Sequence, residues 1–140
     1  MLTPTELLTP SEMLAMPEDA YMNQAQLAFF KHLLQQQLDT LQANMQQTSL
    51  HLHAHEETAD PADRASREET HGLELRARER ELKHIKTIQA ALLRIAQGSY
   101  GYCEETGVAI GLARLIARPA TRLCLEAQER HERRERQFNH

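Results

Sequence analysis

The sequence predicts an all-α-dominated fold: a long antiparallel coiled-coil hairpin on a small globular base that ends in a helix. Three observations point there. Two amphipathic stretches of nearly equal length are separated only by the run Asp60-Pro61-Ala62-Asp63. Aromatic residues make up 4% with no Trp, and charged residues 26%, a balance that favours long solvated helices over a large compact core. After the second stretch come two cysteines placed as in a metal-binding frame, with half of the donors missing.

The first 22 residues form an arm. Pro4, Pro10 and Pro17 interrupt it and no period is sustained, so it is expected to be flexible or partly docked, with a short helix around Ser11 to Met16. Residues 23–97 form the hairpin, with its tip near 56–65. Asn23 followed by Gln26 is a helix start: the amide side chain caps a free backbone N–H, and the residue three positions on reaches back. Leu27, Leu34, Leu38, Leu41, Met45, Thr48 and Leu52 then recur at steps suited to one helical face, giving a helix over about Gln24 to Thr58. At 1.5 Å per residue its length is roughly 50 Å. Asp60 can cap the next helix, Pro61 suits its first position, and Asp63 sits well against the positive helix end. Leu75, Leu82, Ile85, Ile88, Leu92 and Ile95 supply a second apolar stripe, and Gly98 a stop. Two such helices joined by a short turn bury their stripes most simply against each other.

Residues 98–140 form the base. Gly98 to Gly111 reads as loop and tight turns, with Tyr100, Tyr102, Val108 and Ile110 as packing residues, and Ala120 to about Gln137 as a final helix. A zinc ribbon needs a Cys-x-x-Cys turn on each side of the metal, four thiolates in a tetrahedron. Here the turns are Cys103-Glu104-Glu105-Thr106 and Cys124-Leu125-Glu126-Ala127. Thr106 offers a neutral hydroxyl and Ala127 no donor, so the frame is degenerate and is expected to be metal-free. Cys103 and Cys124 then serve as small packing residues rather than a redox switch.

With 140 residues the chain holds one functional unit rather than two ordinary cores. A net charge of −4 argues against coating nucleic acid through the overall field. No apolar run is long enough to cross a bilayer, and no basic start with an apolar core marks a signal peptide, so a cytoplasmic protein with reduced thiols is expected. A hairpin that buries its own seam needs no second copy, so a monomer is expected. At the tip Glu56, Glu57, Asp60 and Asp63 crowd the turn. Helix capping accounts for Asp60 and Asp63 but not for the whole cluster. A narrow rod can deliver such carboxylates into a channel too tight for a globular domain, where they could meet basic groups or a magnesium ion.

Tyr21-Met22-Asn23, Asp60-Pro61-Ala62-Asp63-Arg64-Ala65, Leu73-Glu74-Leu75-Arg76, Gly101-Tyr102-Cys103 and Arg114-Leu115-Ile116-Ala117-Arg118-Pro119, in order from about Glu18 to Arg136, resemble the DksA/TraR family of bacterial transcription factors. With both cysteine pairs halved, the chain is most similar to the family's zinc-independent second paralogue of pseudomonads. The resemblance implies that the chain binds RNA polymerase without sequence-specific DNA contacts and inserts its coiled coil through the secondary channel. It further implies destabilised open complexes and, with the alarmone ppGpp as co-regulator, repression of ribosomal RNA promoters and activation of amino-acid biosynthesis promoters in the stringent response. The zinc-free frame implies a backup role when zinc is scarce, because no metal is needed for folding. Asp60 and Asp63 match the acids that act near the polymerase active centre, and Ala65 the small residue that allows close approach. Arg80, Lys83 and Arg118 match contacts to polymerase or ppGpp. Thr87 and Gln128 stand where the family usually has lysine, each removing a charge-assisted contact to phosphate.

Other patterns have plainer explanations. His51 and His55 share a helix face, but no carboxylate completes a metal shell with them, and they read as surface histidines. The run Glu129 to Arg136 reads as a solvated helix face with pairs such as Glu132 and Arg136. No nucleophile and base share a pocket, so no enzyme is expected. Apart from the resemblance, the alternative is a structural coiled-coil adaptor whose tip acids only cap a helix. Transcript-cleavage stimulation, as in the Gre factors, lacks its sequence pattern here.

Overall fold

A computed structural model of the chain describes residues 7–57 and 64–138, with side chains for 7–49 and 67–138. Five α-helices follow in order: α1 (Pro10–Leu14), α2 (Gln24–Glu57), α3 (Arg64–Gln97), α4 (Leu112–Ala117) and α5 (Leu125–Phe138). A 3₁₀ turn spans Glu18–Ala20. The described residues contain no regular strand, only an isolated antiparallel bridge between Tyr102 and Ala109. The chain divides into two compact units, residues 36–89 and residues 1–35 with 90–140.

The unit of residues 36–89 is the coiled-coil part, formed by α2 and α3. On α2, Leu38 and Met45 are buried and Leu41 and Thr48 half-buried, as their spacing predicts. On α3, Ile85 and Ile88 are buried, but Leu75 and Leu82 are each 43% exposed. The half-buried positions towards the N-terminal end of α3 instead include Arg67, His71, Glu74, Arg78 and Glu81. At about 100° per residue, Arg67, Glu74 and Glu81 fall within about 40° of Ile85 around the helix, whereas Leu75 and Leu82 are turned about 60–80° to the other side. The seam follows the helical period, and the leucines drift off it.

In the second unit, α2 starts as its sequence predicts. Asn23 Oδ1 accepts the Gln26 amide at 2.8 Å, and Gln26 Oε1 reaches back to the Met22 amide at 2.7 Å. Gln26 is fully buried, with its Nε2 on Met16 Sδ at 3.3 Å. At the far end of α3, Gly98 takes φ +84°, and the Ser99 and Gly98 amides close onto the Arg94 and Ile95 carbonyls at 3.0 and 3.3 Å. This is the Schellman stop that a left-handed glycine permits.

Phe30, Leu34 and Met13 are fully buried, as are Ala91 and Leu115, and the Phe30 and Tyr100 rings lie 5.5 Å apart. The Tyr100 hydroxyl donates to the Pro119 carbonyl at 2.7 Å, and burial raises its pKa. The described part of the N-terminal segment is docked: α1 packs on α4, and Thr9 caps α1 by accepting the Glu12 amide at 3.2 Å. The helix α4 was not expected from the sequence. The last helix begins at Leu125 rather than Ala120, because the backbone before it is committed elsewhere. The Arg122 carbonyl accepts the Glu104 amide at 3.0 Å, and the Leu123 carbonyl accepts Arg114 Nε at 3.2 Å.

Candidate functional site

The two halves of the degenerate frame meet in the base. Gly101 to Gly111 forms a tight knuckle: the Ile110 amide donates to the Gly101 carbonyl, and the Cys103 amide to the Val108 carbonyl, both at 2.8 Å. The Gly107 amide closes the turn on the Cys103 carbonyl at 2.9 Å. Gly101 has φ +94°, and a Cβ there would come within 2.7 Å of the Met22 side chain, so only glycine fits. The Tyr21 hydroxyl bolts the knuckle from the N-terminal segment, donating to the Gly101 carbonyl at 2.6 Å and accepting the Gly111 amide at 3.0 Å. Its pKa is raised, chiefly by burial.

Opposite the knuckle, Cys124 precedes α5 and its carbonyl accepts the Gln128 amide at 3.0 Å. Cys103, Leu123, Cys124 and Ala127 form one buried cluster, with Ile110 packed against it. Burial is the largest influence on the Cys103 thiol and pushes its pKa up. Hydrogen bonds from the Cys124 amide, the Thr106 hydroxyl and the Thr106 and Glu105 amides together outweigh it and bring the pKa to about 6. Thr106 Oγ1 also lies 3.9 Å from Cys124 Sγ. All four frame positions are thus assembled, and they do not suit zinc. Two thiols, a neutral hydroxyl and a methyl group cannot supply four tetrahedral donors. Among the described residues no three His, Cys, Asp or Glu side chains gather as a metal site.

The two acids between Cys103 and Thr106 clamp the frame from outside. Glu104 bridges Arg94 at 3.3 Å and Arg122 at 3.2 Å, with the Arg94 side chain only 10% exposed. Glu105 pairs with His131 on α5 and lies 3.9 Å from Arg130. The hydrogen bond from His131 is the main cause of its lowered pKa. Sequence reasoning missed this clamp, although its signal was present: acids fill both intervening positions of the first turn and the partner helix is rich in Arg and His. Tyr102 and Val108, expected to pack, are 40% and 53% exposed. Arg136 bonds the Glu132 carbonyl at 3.4 Å rather than its carboxylate, which accepts Gln128 Nε2 at 3.3 Å.

Of the other residues singled out by sequence, Asp60 and Asp63 lie outside the described residues. Ala65 lies on α3 in a stretch whose side chains are not described, and the side chains of His51, His53 and His55 are likewise outside the description. Arg80 and Lys83 are exposed on α3, three positions apart and so on neighbouring parts of one face. Thr87 turns its hydroxyl inward to the Lys83 carbonyl at 2.9 Å. Arg118, in the other unit, is exposed at the end of α4.

Residues 26–95 match the N-terminal domain family of DnaK suppressor protein DksA, and residues 98–133 match the prokaryotic dksA/traR C4-type zinc finger family. The chain is 48% identical over 137 residues to the RNA polymerase-binding transcription factor DksA of Caulobacter vibrioides, covering 97% of this chain and 96% of that one. It is 43% identical over 125 residues to the protein of the same name from Escherichia coli K12, covering 87% and 82%. The solved structure of transcription factor DksA2 from Pseudomonas aeruginosa superposes with a TM-score of 0.83 at 48% identity, covering 91% of this chain and 99% of that one. Both halves of the chain therefore lead to one assignment: it belongs to the DksA/TraR family.

Proposed function

We propose that this chain regulates transcription by binding RNA polymerase and placing its coiled-coil tip in the secondary channel. The observation that carries this reading is the near end-to-end similarity to a factor named for polymerase binding, 48% identical over 97% of the chain. Asp60 and Asp63 act at the active centre, and Ala65 keeps the approach narrow. Arg80, Lys83 and Arg118 contact polymerase or ppGpp, and open complexes are destabilised. With ppGpp the chain represses ribosomal RNA promoters and activates amino-acid biosynthesis promoters, more weakly ppGpp-dependent where Thr87 and Gln128 replace lysine. It works as a monomer in the cytoplasm. The frame of Cys103, Thr106, Cys124 and Ala127 supports zinc independence, because its donor set cannot complete a zinc site while its side chains pack as a core.

Multi-round transcription from a ribosomal RNA promoter, with and without ppGpp, tests the reading. Wild type is expected to repress. Asp63→Asn, which keeps shape and some capping capacity, is expected to lose repression while still binding polymerase. Equal repression by the variant would remove the tip carboxylate from the mechanism, and no repression by folded wild type would favour the coiled-coil adaptor.

A further inference from the structure

Helix α4 has six residues, and Arg118 caps its C-terminal end. A helix that short has no stability of its own, so its direction is set by what holds its two ends. At the start, Gly111 takes φ +102° and has no side chain with which to cap the helix. Its amide instead donates to the Tyr21 hydroxyl at 3.0 Å, and the same hydroxyl donates to the Gly101 carbonyl at 2.6 Å, tying α4 to the knuckle. At the other end Pro119 is buried, and its carbonyl accepts the Tyr100 hydroxyl at 2.7 Å. The Arg118 backbone between these anchors is engaged on both sides: its amide donates to the Arg114 carbonyl at 2.8 Å, and its carbonyl accepts the Thr121 amide at 3.1 Å. Pro119 also bars Arg118 from the helical region, so the helix stops there. The Arg118 side chain is nevertheless exposed. A guanidinium on a pinned backbone is preorganised for an anion, because binding has only the side chain left to order.

We propose that Tyr21 and Tyr100 are positioning residues for Arg118, an inference that rests on the reading of Arg118 as a contact to polymerase or ppGpp. Each acts through α4. Tyr21 fixes where the helix starts, Tyr100 fixes the peptide that follows Arg118, and together they set the direction in which the guanidinium leaves the base. Removing either hydroxyl keeps the ring and leaves the charge of Arg118 unchanged, so the cost falls on the ordering of α4. Arginine pairs with phosphate or carboxylate through a planar fork whose parallel bonds tolerate little misalignment. A backbone free to move therefore lowers affinity without removing any contact group.

The test is a double-mutant cycle on the full chain, read in transcription from a ribosomal RNA promoter with ppGpp as the chain concentration that gives half-maximal repression. Arg118→Ala is expected to raise that concentration roughly tenfold through loss of a charge-assisted bond, and Tyr100→Phe and Tyr21→Phe roughly threefold each. In the Arg118→Ala background neither Phe substitution adds anything, because residues acting through one contact are not additive. Far-ultraviolet circular dichroism at the assay temperature confirms folding, and where one Phe variant unfolds the other decides by the same cycle. A Phe effect of equal size with and without Arg118 overturns the proposal, since it reports general stability rather than position. Unchanged repression by folded Phe variants, with Arg118→Ala impaired, overturns it too. If Arg118→Ala is indistinguishable from wild type, the reading of Arg118 itself fails, and the positioning role falls with it.

Discussion

The knuckle of the base and the outer part of α3 solve the same packing problem in opposite ways. In the base, apolar groups are inside and charges outside. Cys103, Leu123, Cys124 and Ala127 are buried together, and Glu104 and Glu105 hold arginine and histidine partners at the rim. On α3, Glu74 and Glu81 are half-buried while Leu73, Leu75 and Leu82 are largely exposed, and Glu81 Oε2 is buried without a hydrogen-bond partner. Apolar side chains pack together at the frame positions, whereas acidic side chains are half-buried along α3. The proposed zinc independence requires packing to replace coordination, and the buried cluster of Cys103, Leu123, Cys124 and Ala127 supports it.

Four substitutions sharpen this contrast. The largest effect is expected from Phe30→Ala, which removes a fully buried ring beside Tyr100 and should cost about 3–5 kcal/mol by urea unfolding. A loss under about 1 kcal/mol would mean that this core can collapse around the gap. Tyr21→Phe removes only an oxygen, yet strands the Gly111 amide and leaves the Gly101 carbonyl with the Ile110 amide alone, for an expected loss of about 1–3 kcal/mol. In the rod the sign reverses. Glu81→Leu relieves an unpartnered carboxylate oxygen and should stabilise the protein by about 1 kcal/mol, read as a higher urea midpoint at unchanged slope. A destabilised Glu81→Leu would show that the polar seam contributes to cohesion.

The smallest effect is at Glu105. Its folded pKa is depressed, so its contribution is present above the unfolded carboxylate pKa and is lost as pH falls through the lowered folded value. The group is exposed and its pairing is screened by salt. The melting-temperature difference between wild type and Glu105→Gln should therefore be small near neutral pH and vanish once pH falls below the lowered carboxylate value. A difference that persists below that value would contradict the clamp.

The helix ends were legible because their signals are local: Asn23 and Gln26 cap α2, and Gly98 supplies the left-handed stop of α3. The four frame positions were legible from spacing alone. The α3 seam was misread because Leu75 and Leu82 are conspicuous by type, whereas burial follows angle, and the helical period carries them away from the face that Ile85 and Ile88 share. Helix α4 was missed because Gly111 provides no side-chain cap and six residues sustain no period. The start of α5 depends on backbone bonds from Arg122 and Leu123 to groups distant in sequence, and no local pattern announces those. Tyr21 was readable as part of a family motif, but its grip on Gly101 and Gly111 spans 80 and 90 residues of sequence.

The central claim is that packing at Cys103, Thr106, Cys124 and Ala127 does the work of a metal in a polymerase effector. Its most direct test is repression of a ribosomal RNA promoter by protein stripped of metal, verified metal-free and added to polymerase in zinc-free buffer with ppGpp. Repression equal to that of protein incubated with zinc is predicted. Repression that appears only after zinc is restored would contradict the account.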